Sequence, residues 1–142
     1  MGERERLAIF NAITSHFGTP DLDGMVVLDL FAGTGSLGLE ALSRGATHAT
    51  FIEQSPRTLR ILKENLKGIN NALVLSLDAY NVVFQEKFDI IFIDPPYNDF
   101  DPIILNFEEY LTDGGIMVVS SPEPIDETSR KYANCYITLV KN

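Results

Sequence analysis

The sequence predicts an α/β domain built on a mainly parallel sheet with helices on both faces. Strand-like and helix-like segments alternate from about residue 25 onward, and the strand-like runs are apolar along their length, as in strands buried on both sides. Four acids, Asp29, Glu53, Asp78 and Asp94, each follow or close such a run. In open sheets of this kind ligands sit beyond the carboxyl ends of the strands.

Residues 5–17 carry Leu7, Phe10, Ile13 and Phe17 near helical spacing, which predicts an amphipathic helix. A loop with Gly18, Pro20 and Gly24 leads to a first strand over Met25–Leu30. Gly33, Gly35 and Gly38 punctuate the turn into a helix over Ser36–Arg44, which Gly45 can close. The second strand is His48–Glu53. Ser55 can cap the next helix, with Pro56 at its first position and Gly68 past its end. A third strand, Leu73–Leu77, ends on Asp78, and a short helix is expected over Tyr80–Phe84. Phe88–Ile93 is the fourth strand and runs directly into Asp94-Pro95-Pro96-Tyr97. A helix around Ile103–Leu111, the pair Gly114-Gly115 and a fifth strand, Ile116–Ser120, follow. Pro122–Glu127 is a polar loop, and Lys131–Lys141 reads as two short strands with a turn near Asn134.

No linker, repeat or low-complexity stretch interrupts these 142 residues, so residues 1–142 form one domain, with enough chain to bury one sizeable core. Hydrophobic residues make up 45% and charged residues 22%. No apolar run is long enough to span a bilayer, and positions 3–6 are charged where a signal peptide would be apolar. The single cysteine, Cys135, has no disulfide or metal-spaced partner and is expected to be structural, which points to a reducing, cytoplasmic setting. The net charge of −9 disfavours broad phosphate binding, so any nucleic-acid surface must be local or supplied by a partner. The run Arg57, Arg60, Lys63 and Lys67 reads as a solvated helix face opposite Leu59, Leu62 and Leu66. His16 and His48 are expected at the surface or in packing.

Gly33-Thr34-Gly35-Ser36-Leu37-Gly38 fits the dinucleotide pattern G-x-G-x-x-G, a weak signal alone. Here Asp29-Leu30-Phe31-Ala32 precede it. A carboxylate at that place repels a pyrophosphate and suits the ammonium end of a cationic amino-acid cofactor. Glu53, 18 residues after Gly35, offers two oxygens that match the cis-diol of a ribose. Asp78 either accepts from an adenine amino group or caps the following helix.

The segment Asp94-Pro95-Pro96-Tyr97 carries the chemistry. A proline after Asp94 and another after Pro95 hold both residues extended. The stiff loop aims a carboxylate and a backbone carbonyl the same way. Two acceptors directed at an –NH2 bind its hydrogens and draw the nitrogen lone pair out of ring conjugation, which an aryl amine needs before it attacks a methyl group. Tyr97 offers a face on which a base can stack.

The stretches Asp29–Ala46, Phe51-Ile52-Glu53 and Phe92–Tyr97, with Arg6 and Phe10-Asn11 ahead of the first strand, resemble the RsmD-type 16S rRNA guanine-N2 methyltransferases over nearly the whole chain. The glycine loop is common to the wider methyltransferase superfamily and D-P-P-Y to amino-group methylation; the run after Gly35 points to this family. The resemblance implies a single Rossmann-like class I fold, a seven-stranded, mainly parallel sheet with its last strand antiparallel. It implies S-adenosylmethionine as cofactor, S-adenosylhomocysteine as product, and no metal. Cofactor contacts are expected from Asp29, Phe31, Ala32, Gly33, Thr34, Gly35, Leu37, Glu53, Gln54, Asp78, Ala79 and Asp94, with catalysis at Asp94, Pro95, Pro96 and Tyr97. The expected partner of this cytoplasmic monomer is ribosomal RNA or the small-subunit ribosomal particle, with no membrane role. Family members usually begin with a basic β-hairpin and an Arg-Pro-Thr segment, which do not precede Met1, so a shortened version with weakened RNA binding is the expectation. The rival readings are an adenine-N6 methyltransferase acting on DNA, an idle S-adenosylmethionine-binding module, and a nicotinamide-dependent oxidoreductase, which the position of Asp29 argues against.

Overall fold

The computed structural model describes all residues, 1–142. The first helix, α1 (Glu3–Phe17), precedes the sheet and ends on Gly18 in the left-handed region. Then come β1 (Val26–Asp29), α2 (Ser36–Ser43), β2 (His48–Ile52), α3 (Pro56–Asn65) and β3 (Ala72–Leu75). The second half contains β4 (Phe88–Ile93), a 3-10 segment Pro102–Tyr110, β5 (Leu111–Ser121), β6 (Arg130–Tyr132) and β7 (Cys135–Lys141).

The seven strands lie in the order β3-β2-β1-β4-β5-β7-β6. β1, β2, β3, β4 and β5 run parallel, and β7 is antiparallel to both neighbours. The sheet was expected as seven strands with the last one antiparallel, and that is what forms. Chain order reverses between β1 and β4, so the switch point lies where Asp29 pairs with Phe92. Ile93 pairs with Val119, which brings Asp94 and Ser120 to the same level one residue further on.

Side chains that alternate across the strands build two cores. Val27, Ala49, Phe51, Ile90, Phe92 and Val118 face Phe10 of α1, Leu37 and Ala41 of α2 and Leu62 of α3. Leu28, Ile52, Ile91, Ile93, Met117 and Val119 face the other way, onto Ala79, Ile104 and Phe107. Both faces are therefore covered, but unequally: α1, α2 and α3 all pack on one, and a turn and the 3-10 segment cover the other.

Four local expectations are corrected. The short helix over Tyr80–Phe84 is a turn, because Asp78 accepts from the Tyr80 backbone (3.0 Å) and the Asn81 side chain (2.8 Å) and closes the chain locally. Val82 and Phe84 then pack inward as a loop. The helix expected around Ile103–Leu111 is 3-10 in character and stops at Tyr110, and β5 begins at Leu111, earlier than expected. Ser55 occupies the cap position of α3 but its hydroxyl makes no cap bond; the Glu53 carboxylate takes the Ser55 N–H instead (2.9 Å). The basic residues of α3 are exposed above buried Leu62 and Leu66, as the solvated-face reading requires.

Candidate active site

The glycine loop owes its shape to close packing. Gly35 has φ +92°, a conformation that strains residues with a Cβ, and an added Cβ would stand 2.6 Å from Leu62. At Gly38 a Cβ would collide with the Phe51 ring, so only glycine lets α2 sit this close to β2. The loop is then fixed by two carboxylates. Asp29, 1% exposed, accepts from the Gly38 N–H at 3.1 Å, and Glu53 accepts from the Gly33 N–H at 2.9 Å. With its other oxygen on the Ser55 N–H, Glu53 ties the glycine loop to the start of α3. Each of its oxygens keeps a second lone pair for a ligand.

Asp29 is electrostatically unusual. Burial pushes its carboxyl up to about 7, the Gly38 hydrogen bond opposes this, and the charges of Asp94 and Glu53 raise it further. Its Oδ1 is buried without a partner. A buried acceptor left unpaired is costly, and such groups mark sites where a ligand or ion is expected.

Asp94 stands at the end of β4, half-buried, with Pro95 buried behind it. Burial pushes its carboxyl above the usual range, while the Met1 amino group and a hydrogen bond from Ser120 act the other way. Ser120 also bonds the Tyr97 hydroxyl. Burial raises the Tyr97 phenol well above its ordinary value, Ser120 opposes this, and the Cys135 thiol and Asp94 add to the rise. Tyr97 is thus partly packed into the core and tethered at its hydroxyl. Cys135, expected away from the acid-bearing strand ends, is buried in the core against which Tyr97 packs, because β7 runs antiparallel beside β5 and brings its start to the end of that strand.

These groups surround a cleft of about 810 Å³. Of the residues expected to touch cofactor or substrate, Phe31, Gly33, Glu53, Gln54, Asp78, Ala79, Asp94, Pro95, Pro96 and Tyr97 line it. Asp29 lies beneath. Ala32 and Leu37 are buried in the helical-side core, Gly35 packs on Leu62, and the Thr34 carbonyl accepts from Asn65 (2.8 Å), so these four shape the loop and do not line the cleft. Asp78 holds its turn. The Tyr80 ring packs edge-on against Phe31 (5.5 Å between centroids), and its hydroxyl donates to the Asp99 carbonyl at 3.0 Å.

Ser120 and Tyr80 were missed by sequence reasoning. The signal for Ser120 was a polar pair, Ser120-Ser121, ending an apolar strand; for Tyr80 it was an aromatic two residues after an acid-terminated strand. The cleft is lined by Glu53, Asp78, Asp94 and Asp99 and by no lysine or arginine. No group of three or more His, Cys, Asp or Glu side chains is arranged to hold a metal ion, and no helix is long and apolar enough to cross a membrane.

Residues 1–137 match the family described as Conserved hypothetical protein 95. The ribosomal RNA small subunit methyltransferase D of Escherichia coli is 37% identical over 99 residues, which cover 67% of this chain and 48% of that protein. YlbH of Bacillus subtilis is 32% identical over 136 residues, covering 87% of this chain and 71% of YlbH. The solved structure of YhhF from Escherichia coli superposes with a TM-score of 0.83 at 28% identity, over 99% of this chain and 86% of that one. The chain spans about half the length of the methyltransferase D relatives from Escherichia coli (48%) and Haemophilus influenzae (52%). The sheet is that of the class I methyltransferases, and the chain belongs to the RsmD-type family.

Proposed function

We propose that this chain transfers a methyl group from S-adenosylmethionine to the exocyclic N2 amine of a guanine in 16S ribosomal RNA. The observation that carries the reading is the position of Asp94: a carboxylate on a two-proline loop at the switch point, opening onto a cleft lined by acids and no lysine or arginine. An acidic cleft favours a ligand with an ammonium and a sulfonium and disfavours a pyrophosphate. The unpaired Oδ1 of Asp29 beneath the glycine loop supports the same assignment. Asp29 with the glycine loop would hold the amino-acid end, and Glu53 the ribose. Asp78 and Ala79 would flank the adenine, with Phe31 beside it. When bound, S-adenosylmethionine supplies a methyl group on a positively charged sulfur.

The chain's own residues supply position and polarity. The Asp94 carboxylate and the Pro95 carbonyl accept the two hydrogens of the base amine. That geometry turns the nitrogen lone pair out of the ring and toward the methyl donor. Because burial raises its basicity, Asp94 would also take up the proton the amine releases after transfer. Ser120 bonds the Tyr97 hydroxyl and stands level with Asp94, so the wall on which a base would stack lies beside the carboxylate that would accept its amine. A base within a helix has to be flipped or already unpaired to reach this position.

The test is methyl transfer from tritiated cofactor to bare 16S RNA and to small-subunit particles. Asp94→Ala is expected to lose nearly all turnover while cofactor still binds, since the work of Asp94 lies at the amine. Asp94→Asn is expected to keep part, because its amide oxygen still accepts one hydrogen bond. Normal turnover by Asp94→Ala would end this mechanism.

A further inference from the structure

We propose that the groove between α1 and the β6–β7 hairpin is the track along which the phosphates flanking the target base run. The proposal rests on the RNA-methylation reading above and names the surface that reading lacks. Two adjoining hollows, about 470 and 540 Å³, form this groove, and Tyr132 lines both. Their charged lining is Arg4, Arg130, Lys131 and Lys141 against the single acid Glu5. This local excess of three positive charges sits in a chain of net charge −9. All four cations are exposed, and the one ion pair of the molecule, Arg44 with Glu40, lies elsewhere. Exposed, unpaired cations in a groove are what a polyanion needs, and Tyr132 between them offers a ring to an unpaired base.

Position decides between this groove and the basic face of α3. The sheet order places β2 and β3, with Glu53 and Asp78 past their ends, on one side of the switch point. Asp94 and Ser120, where the amine would be held, lie on the other side, toward β7 and β6. The hairpin is joined to that side directly: Tyr132 pairs with Cys135, and Cys135 belongs to the core against which Tyr97 packs. The start of α1 makes a second link, since Met1 lines the cleft and Arg4 lines the groove. The basic residues of α3 follow β2, on the cofactor side of the cleft. A strand that delivers its base to Asp94 therefore passes the hairpin and not α3.

The test is fluorescence anisotropy of a labelled single-stranded 16S RNA fragment, titrated with the 142-residue chain at several salt concentrations. Arg130→Ala with Lys131→Ala is expected to weaken binding roughly tenfold and lower the slope of log affinity against log salt by about 1.4, near 0.7 for each cation removed. The charge-keeping pair Arg130→Lys with Lys131→Arg is expected to retain the slope, which separates lost charge from a damaged hairpin. Lys63→Ala on α3 with Lys67→Ala just past its end is expected to bind as the unaltered chain does. Unchanged affinity and slope in the Arg130/Lys131 alanine variant would overturn the proposal, as would loss confined to the α3 variant. Failure of the unaltered chain to bind RNA would also overturn it. Calorimetry with S-adenosylmethionine on the same preparations keeps the two readings apart: intact cofactor binding leaves the methyltransferase reading standing when the groove fails.

Discussion

A single buried carboxylate carries the largest electrostatic cost at the strand ends. Asp29 is 1% exposed, keeps one oxygen unpaired, and has its carboxyl raised to about 7 by burial, against an ordinary 3.8. Between those two values the folded chain holds a proton that the unfolded chain has released. Stability from this group therefore falls as pH rises from about 4 to about 7, by up to about 4 kcal/mol. Asp29→Asn removes the titration and leaves an oxygen for the Gly38 N–H. The variant is expected to gain on the unaltered chain as pH rises through this window, and to bind cofactor poorly throughout. Urea midpoints at about pH 4.5, 6 and 8, which span the window, would show it. A stability difference that stays constant with pH would show that Asp29 is not the titrating group.

At the scale of elements, the glycine loop is first of all a packing problem. α2 reaches β2 only because position 38 has no side chain, with the Phe51 ring in the space a Cβ would fill. Phe51 is fully buried and has little room to move aside. Gly38→Ala is therefore expected to destabilise the chain by roughly 1–3 kcal/mol, the usual cost of overpacking. Shrinking the ring with Phe51→Leu in the same chain is expected to return part of that loss, so the double variant is less destabilised than the two single losses predict together. Additive losses in chemical denaturation would place the cost of Gly38→Ala elsewhere. The same packing explains which elements could be read from sequence. β1, β2 and β4 are apolar on both sides because the sheet buries both, and α2 and α3 carry clear glycine and proline boundaries. The start of the 3-10 segment Pro102–Tyr110 is tied to a distant partner, the Tyr80 hydroxyl, which reaches the Asp99 carbonyl and the Asp101 N–H and which no local pattern reports. Ser120 was hidden for the same reason: its partner, Tyr97, comes from the loop that follows a different strand.

At the scale of the whole molecule, the carboxyl ends of β1, β2 and β4 and the turn at Asp78 converge on one cleft, and charge is sorted around it. Four acids line the cleft and four cations line the neighbouring groove, within a chain of net charge −9. Acids held close together repel, and Asp29 feels both Asp94 and Glu53. A cationic ligand relieves that repulsion and binds only the folded chain, so it should stabilise the whole domain. At a hundredfold excess over its dissociation constant, S-adenosylmethionine is expected to add about 2.7 kcal/mol. For a chain of this size that corresponds to a rise in Tm of roughly 5–10 °C. NAD, whose pyrophosphate would face Glu53 and Asp94, is expected to produce no shift. S-adenosylhomocysteine lacks the sulfonium charge but keeps the ammonium and the ribose, so it should stabilise too. Thermal melts of the unaltered chain with each of the three ligands make the comparison. A shift with NAD and none with either sulfur compound would mean that the acids at the strand ends serve a different ligand, and the assignment of Asp29 and Glu53 would fall with it.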